Sequence, residues 1–309
     1  MGTLHADGTY AVTAEEVESF HREGFVHLPG LLSEAEVAGI EVDYDRFLRR
    51  EIAVPGKDYC DMAGDYGRDP ADYSIINVML PRRYYPAWQG NVLERRALAV
   101  AAQLQGAGME IDYDQLLAKQ PYKDDAVFAW HQDMAYWPDT PDTRTATVWC
   151  AIDDSTVENG CMRFVPGSHE KKVVPHVDSF AQDNLLTRGQ DIAVDVDEAS
   201  AVNVVLRAGQ ASFHHGHIFH ASGPNGTNVR RVGTAIRFVA PSMKQVSGDR
   251  LLVSHVSGKD DYGHFEVMPP PAGRLQEEDF DRARRNTEMK KGILYKDVRP
   301  ELVKETRRA

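Results

Sequence analysis

The stretch FAWHQDMAYW, residues 128–137, sets His131 and Asp133 two positions apart inside an aromatic, apolar run. Residues two apart on a β-strand point to the same face, so a ring nitrogen and a carboxylate there can grip one metal ion from one side. Taken alone, an HxD pair is weak evidence, because it recurs by chance in many sequences. A second cluster lies far downstream in HHGHIFHASGPNGTNVRR, with His214, His215, His217 and His220. So many imidazoles are poorly explained by packing, since each buried ring needs partners for two nitrogens. On one fully extended strand, His214 and His220 share a face but sit roughly 20 Å apart at ~3.3 Å per residue. Only one of them is therefore expected to reach the same metal as His131 and Asp133.

Two histidines and one carboxylate on one side of a metal suit Fe(II), because three positions stay open for a co-substrate and O2. Zinc held by the same ligands would keep a position for water and serve a hydrolase or isomerase. Arg230 and Arg231 bear on this choice. They open the strand-like RVGTAIRFV just after the turn that follows His220. An arginine there can fork onto a carboxylate with two parallel hydrogen bonds, the anchor that an iron-bound 2-oxoacid with a distal carboxylate requires. A solvated arginine on a strand edge is the plain alternative. A non-catalytic small-molecule binding protein would need no such combination of triad and anchor.

Something must hold these residues in place. Thr13 with Glu16 and Ser33 with Glu36 form two capping-box signatures, each ahead of a helical pattern, with the strand-like GFVHLPG between them. Helices are thus expected within about 13–50. Residues 55–88 lack clear periodicity, mix Gly, Pro and Asp with five tyrosines, and read as an irregular, lid-like segment. NVLERRALAVAAQLQ reads as a short amphipathic helix. From about residue 111 come short β-rich runs separated by turn residues, which argues for an antiparallel sandwich or barrel. A charged helical tail, about 274–309, closes the chain and is expected to pack on the outside.

The bulk numbers restrict the partners. A net charge of −12 over 309 residues, with no basic block, gives no nucleic-acid footprint and no attraction to an anionic membrane. Three cysteines without CxxC spacing favour a reducing, cytoplasmic setting. No apolar run approaches the length of a membrane span, and the N-terminus has no charged start followed by an apolar stretch.

WHQD, then ENGCMRFVPGSH at 158–169, then FHHGHIFHASGPNGTNVRR at 213–231 resemble, in order, the motifs of the phytanoyl-CoA dioxygenase family of Fe(II)/2-oxoglutarate oxygenases. The likeness spans roughly residues 14–240. It implies a mainly β fold, a double-stranded β-helix (jelly roll, cupin-like) core with added helices, and a single dioxygenase domain over 1–309. It also implies Fe(II) as the metal, with 2-oxoglutarate and O2 as co-substrates and succinate and CO2 as co-products. Residue by residue, it carries the metal ligands onto His131, Asp133 and His220, and the 2-oxoglutarate arginine onto Arg231. Ser222 would help hold the distal carboxylate, and Gln115 and Phe128 would line the co-substrate site. Halogenases of the family replace the aspartate with a small residue; the presence of Asp133 favours hydroxylation or a related oxidation over halogenation, with desaturation, epimerisation and ring formation left open by the triad.

Tyr136 and Trp137, just beyond Asp133, are the substrate-side candidates, with Arg144 and the tyrosines of 55–88 behind them. Trp149, on TATVWCAI, either faces the metal pocket or packs in the core. Asn159-Gly160 and Pro166-Gly167-Ser168 are turn signals that fold one strand back on the next, which makes His169 a turn residue rather than a ligand. The acidity points mildly to a small or cationic substrate, such as an amino acid derivative or another secondary metabolite.

Overall fold

The computed structural model describes residues 1–62, 69–134, 142–174, 176–178, 190–192, 194–245, 247–269 and 276–294. Both capping boxes form. Thr13 Oγ1 accepts from the Glu16 amide while Glu16 accepts from the Thr13 amide, starting helix α1 (Ala14–Glu23). Ser33 and Glu36 start α2 (Glu34–Leu48) in the same way. Gly24, at φ 83°, ends α1 in the left-handed conformation that suits glycine. Helix α3 (Val92–Gln105) is pinned to α2 because Arg96 grips both oxygens of Glu36 at 2.9 and 2.8 Å. That grip is the main reason the Glu36 carboxyl falls to about 2.

The strands are β1 (Phe25–Leu28), β2 (Tyr59–Asp61), β3 (Ile75–Met79), β4 (Glu110–Lys119), β5 (Phe128–His131), β6 (Thr145–Ala151) and β7 (Met162–Phe164). They continue as β8 (Val202–Val204), β9 (Ala211–His214), β10 (His220–Ser222), β11 (Arg231–Val239), β12 (Leu252–His255) and β13 (Glu266–Val267). A large sheet runs β13-β12-β4-β11-β6-β9-β1, with β3 also on β4 and β2 on β3; a small sheet runs β8-β7-β10-β5. Two sheets with cavity-lining residues on both make the jelly roll of a double-stranded β-helix.

Alternation along β11 divides its labour. Val232, Ile236 and Phe238 join Val148, Phe213, Tyr44, Phe47 and Leu104 in the core between the large sheet and the helices. Arg231, Ala235 and Arg237 face the other way, into the space between the sheets. There a smaller apolar cluster of Trp149, Met162, Phe164, Leu206 and Ile218 closes one end.

The segment 55–88 is more regular than its sequence suggests. Strands β2 and β3 pair antiparallel and β3 extends the large sheet along β4. Buried Asp61 explains the join, since its two oxygens accept from the Ser74 and Ile75 amides at 2.9 and 3.0 Å. Within that segment, 63–68 lie outside the described residues. The tail forms helix α4 (Glu277–Leu294), where Asn286 accepts from the Leu252 amide at 2.7 Å. Among the described residues no helix is long and apolar enough to cross a membrane.

Candidate metal and co-substrate site

A cavity enclosing about 630 Å³ of empty space, mouth included, opens between the two sheets. His131 ends β5 and His220 begins β10, and the two are cross-strand partners in the small sheet. Their ring centroids lie 4.0 Å apart. Asp133 follows in the turn after β5, so that ligand atoms of His131, Asp133 and His220 all lie within 4.8 Å of one another.

Each ring is oriented by its own backbone. His131 Nδ1 meets the Ala129 carbonyl oxygen at 2.8 Å and His220 Nδ1 meets that of Ile218 at 3.1 Å. A protonated Nδ1, donating to the carbonyl, leaves Nε2 as the lone pair for a metal. Burial holds His220 well below its usual pKa and His131 adds to this, so the His220 ring is neutral. Burial would raise the Asp133 carboxyl, but the hydrogen bond from His214 and the charges around it hold it well below the usual range. His220 thus offers a neutral imidazole and Asp133 a carboxylate, with the His131 ring beside them. Such a set fits a divalent transition metal.

The opposite end of the cavity is cationic. Arg231, 1% exposed, donates from Nη1 to the Gly160 carbonyl at 2.6 Å and reaches Ser222 Oγ at 3.4 Å, while its Nε has no hydrogen-bond partner among the described residues. The guanidinium stacks 4.9 Å from the Trp149 ring. Lys119, its cross-strand neighbour, donates to Ser222 Oγ at 2.6 Å and to the Gly223 carbonyl. Burial pushes Arg231 down to about 10; burial and Arg231 together pull Lys119 well below its usual value. No carboxylate among the described residues pairs with either. The orphaned N–H of a buried guanidinium, beside a buried amine that a nearby anion would hold protonated, is the environment a dianionic keto acid's far carboxylate would complete.

Gly160 carries this corner. Its φ is 81°, and a Cβ there would lie 2.2 Å from the Gly223 carbonyl oxygen. Gly160→Ala is expected to destabilise the fold by at least ~1–3 kcal/mol, the usual strain of a non-glycine in the left-handed region. The drop will show as a lower midpoint of chemical denaturation; an unchanged midpoint would mean that the turn relaxes without strain.

Of the remaining sequence candidates, Gln115, Phe128 and Trp149 line the same cavity. Tyr136 and Trp137 fall in 135–141, outside the described residues. Arg144 is not brought to the cavity. It begins the approach to β6 on the far side of Thr145, where it forks onto Asp142 at 2.9 Å and donates to Ser242 at 2.8 Å. With His21, His169 and His215 it lines a separate depression.

The straight-strand reading of the histidine cluster also needs correcting. The chain turns over at 215–219, so His214 on β9 and His220 on β10 belong to different sheets that face the same space, with ring centroids 4.9 Å apart. Sequence reasoning missed Lys119, Thr147 and Arg237, and gave His214 no role beside His220. The one available signal was parity, since Lys119 pairs with Arg231, and Arg237 lies six positions along β11 from it. Arg230, by the same parity, points outward and ties the strand to α2 through Glu41 and Asp45, both at 2.6 Å.

Comparison with known proteins agrees with this architecture. A probable alpha-ketoglutarate-dependent hypophosphite dioxygenase from Stutzerimonas stutzeri is 26% identical over 230 residues, 74% of this chain and 78% of that one. The apo form of a non-heme monooxygenase, ThoJ, superposes with a TM-score of 0.68 at 28% identity, covering 91% of this chain and 97% of that one. The epimerase SnoN, solved with Fe3+, alpha ketoglutarate and nogalamycin RO, gives a TM-score of 0.56 at 26% identity, covering 75% and 84%. Residues 20–233 match the model of phytanoyl-CoA dioxygenase (PhyH), and the chain belongs to that family.

Proposed function

We propose that this protein is an Fe(II)- and 2-oxoglutarate-dependent dioxygenase that hydroxylates an unactivated C–H bond of a small molecule. The observation that carries the reading is the two-ended cavity, with three convergent metal-binding side chains at one end and the Arg231–Ser222–Lys119 group at the other. His131, Asp133 and His220 would hold the iron through two Nε2 atoms and one carboxylate oxygen. Bound iron would supply the oxidation, in which one atom of O2 enters the substrate and the other the succinate formed with CO2 from 2-oxoglutarate.

The chain's own part is binding and exclusion. Arg231 and Lys119 neutralise the distal carboxylate, and Ser222 is placed to hydrogen-bond it. Trp149 and Phe128 flank the cations, 4.9 Å from Arg231 and 5.6 Å from Lys119, and keep water from them. Low local dielectric then strengthens the charge pairing. A zinc hydrolase would need none of the cationic group.

The substrate is proposed to be an amino acid derivative or a secondary metabolite, taken up by residues 1–309 acting as one domain in the cytoplasm. Three buried free thiols, Cys60, Cys150 and Cys161, support the reducing setting. Anaerobic addition of Fe(II) and 2-oxoglutarate is expected to produce a weak visible charge-transfer band, and succinate release across a metabolite panel would then find the substrate. Activity with Zn(II) in the absence of oxygen would overturn the reading.

A further inference from the structure

The two oxygens of Asp133 live in different surroundings. Oδ1 faces the metal position, 3.7 Å from His220 Nε2 and 3.8 Å from Arg237 Nη1. Oδ2 accepts from Thr147 Oγ1 at 2.9 Å and lies 3.2 Å from His214 Nε2. His214 is 2% exposed, wedged between the Phe164 and His220 rings at 5.1 and 4.9 Å. Its donor atoms are not part of the convergent set, which among the described residues comprises His131, Asp133 and His220. Its Nδ1 has no hydrogen-bond partner among the described residues. A buried imidazole kept only for packing gains nothing from a half-satisfied ring, since an orphaned nitrogen destabilises and an apolar ring of the same shape would not. The satisfied nitrogen is the one aimed at Asp133.

We propose that His214, assisted by Thr147, is a positioning residue that makes Asp133 a one-oxygen metal ligand. This rests on the reading of the site given above. With Nε2 protonated, His214 and Thr147 both donate to Oδ2, which fixes the carboxylate plane and occupies that oxygen's lone pairs. Oδ1 alone is left for the metal. A freely turning carboxylate would bring both oxygens to the ion and occupy a position that a chelating co-substrate needs. The two clamping residues come from adjacent strands of the large sheet, in which His214 and Thr147 are direct cross-strand partners. The clamp is thus built on the rigid sheet while the ligand it holds sits in a turn.

The test uses the full-length protein under anaerobic conditions, with Fe(II) titration and the Fe(II)–2-oxoglutarate charge-transfer band as readouts that need no substrate. His214→Phe is expected to weaken Fe(II) binding by about 10- to 100-fold, the usual loss when a partner of a metal ligand is removed, and to shift the band. His214→Gln, which can still donate an N–H to Oδ2, is expected to restore most of the affinity. Thr147→Val, nearly isosteric, is expected to weaken binding in the same direction, and decides the matter by itself if His214→Phe does not fold. Wild-type affinity and an unmoved band in a folded His214→Phe or in Thr147→Val would overturn the proposal, as would a His214→Gln variant no better than His214→Phe. A wild-type protein with no band at all would instead overturn the functional reading.

Discussion

Arg231→Ala is expected to leave Fe(II) bound while the dissociation constant for 2-oxoglutarate rises about 100-fold or more, because two charge-assisted hydrogen bonds of ~1.5–3 kcal/mol each are lost. The metal-facing donors do not touch Arg231, so anaerobic Fe(II) titration should be unchanged. Arg231→Lys keeps a charge but not the planar fork, and is expected to recover only part of the affinity. Calorimetric titration of 2-oxoglutarate into Fe(II)-loaded protein checks both. Loss of iron with unchanged co-substrate affinity would show that the residue serves the metal end instead. The direction with pH follows from the same two cations. Lys119 is depressed well below its usual value by burial and by Arg231, and Arg231 to about 10 by burial. Each must be protonated to attract a carboxylate. Affinity is therefore full below both folded-state values and falls as pH rises first through that of Lys119 and then toward 10. An affinity that improved over this range would contradict the assignment.

His220→Ala should have the largest effect on turnover. With one of three ligands gone, succinate formation is expected to fall more than about 1000-fold, the equivalent of several kcal/mol of metal-derived stabilisation. Anaerobic Fe(II) titration should show the cause directly. His215→Ala provides the contrast within the same histidine run. The His215 ring lies against His169 and His217, with centroids 5.4 and 5.2 Å away, and lines the other depression rather than the cavity. Burial pushes it down to about 3, so the ring is neutral. The His215→Ala variant is expected to keep its iron. If the two variants behaved alike, the choice of His220 as ligand would fail.

The parts of the site that were legible in sequence are those set by short spacing. His131 and Asp133 do converge, but not on one strand face as their spacing suggested, since the strand ends at His131 and Asp133 lies in the turn beyond it; Arg231 opens a strand after a turn marked by Gly223, Pro224 and Gly226. Both capping boxes were readable for the same reason, since each is a local exchange of hydrogen bonds. What escaped was whatever depends on which strand lies beside which. Strand β4 is buried on both faces, so IDYDQLLAK shows no alternation to reveal that Lys119 points at the cavity. His214 was separated from His220 by assuming one straight strand where the chain crosses between sheets. The strand at Ile75–Met79 exists through its neighbour β4 and through Asp61, neither of which leaves a periodic trace in the segment itself.

A buried guanidinium beside a buried amine, with no carboxylate against either among the described residues, weakens a fold until something of opposite sign joins them. Because a keto diacid binds the native chain alone, it adds roughly 2.7 kcal/mol of resistance to unfolding once present at a hundredfold excess over its dissociation constant. A thermal-unfolding midpoint that climbs as the diacid is added is the expected sign of this linkage.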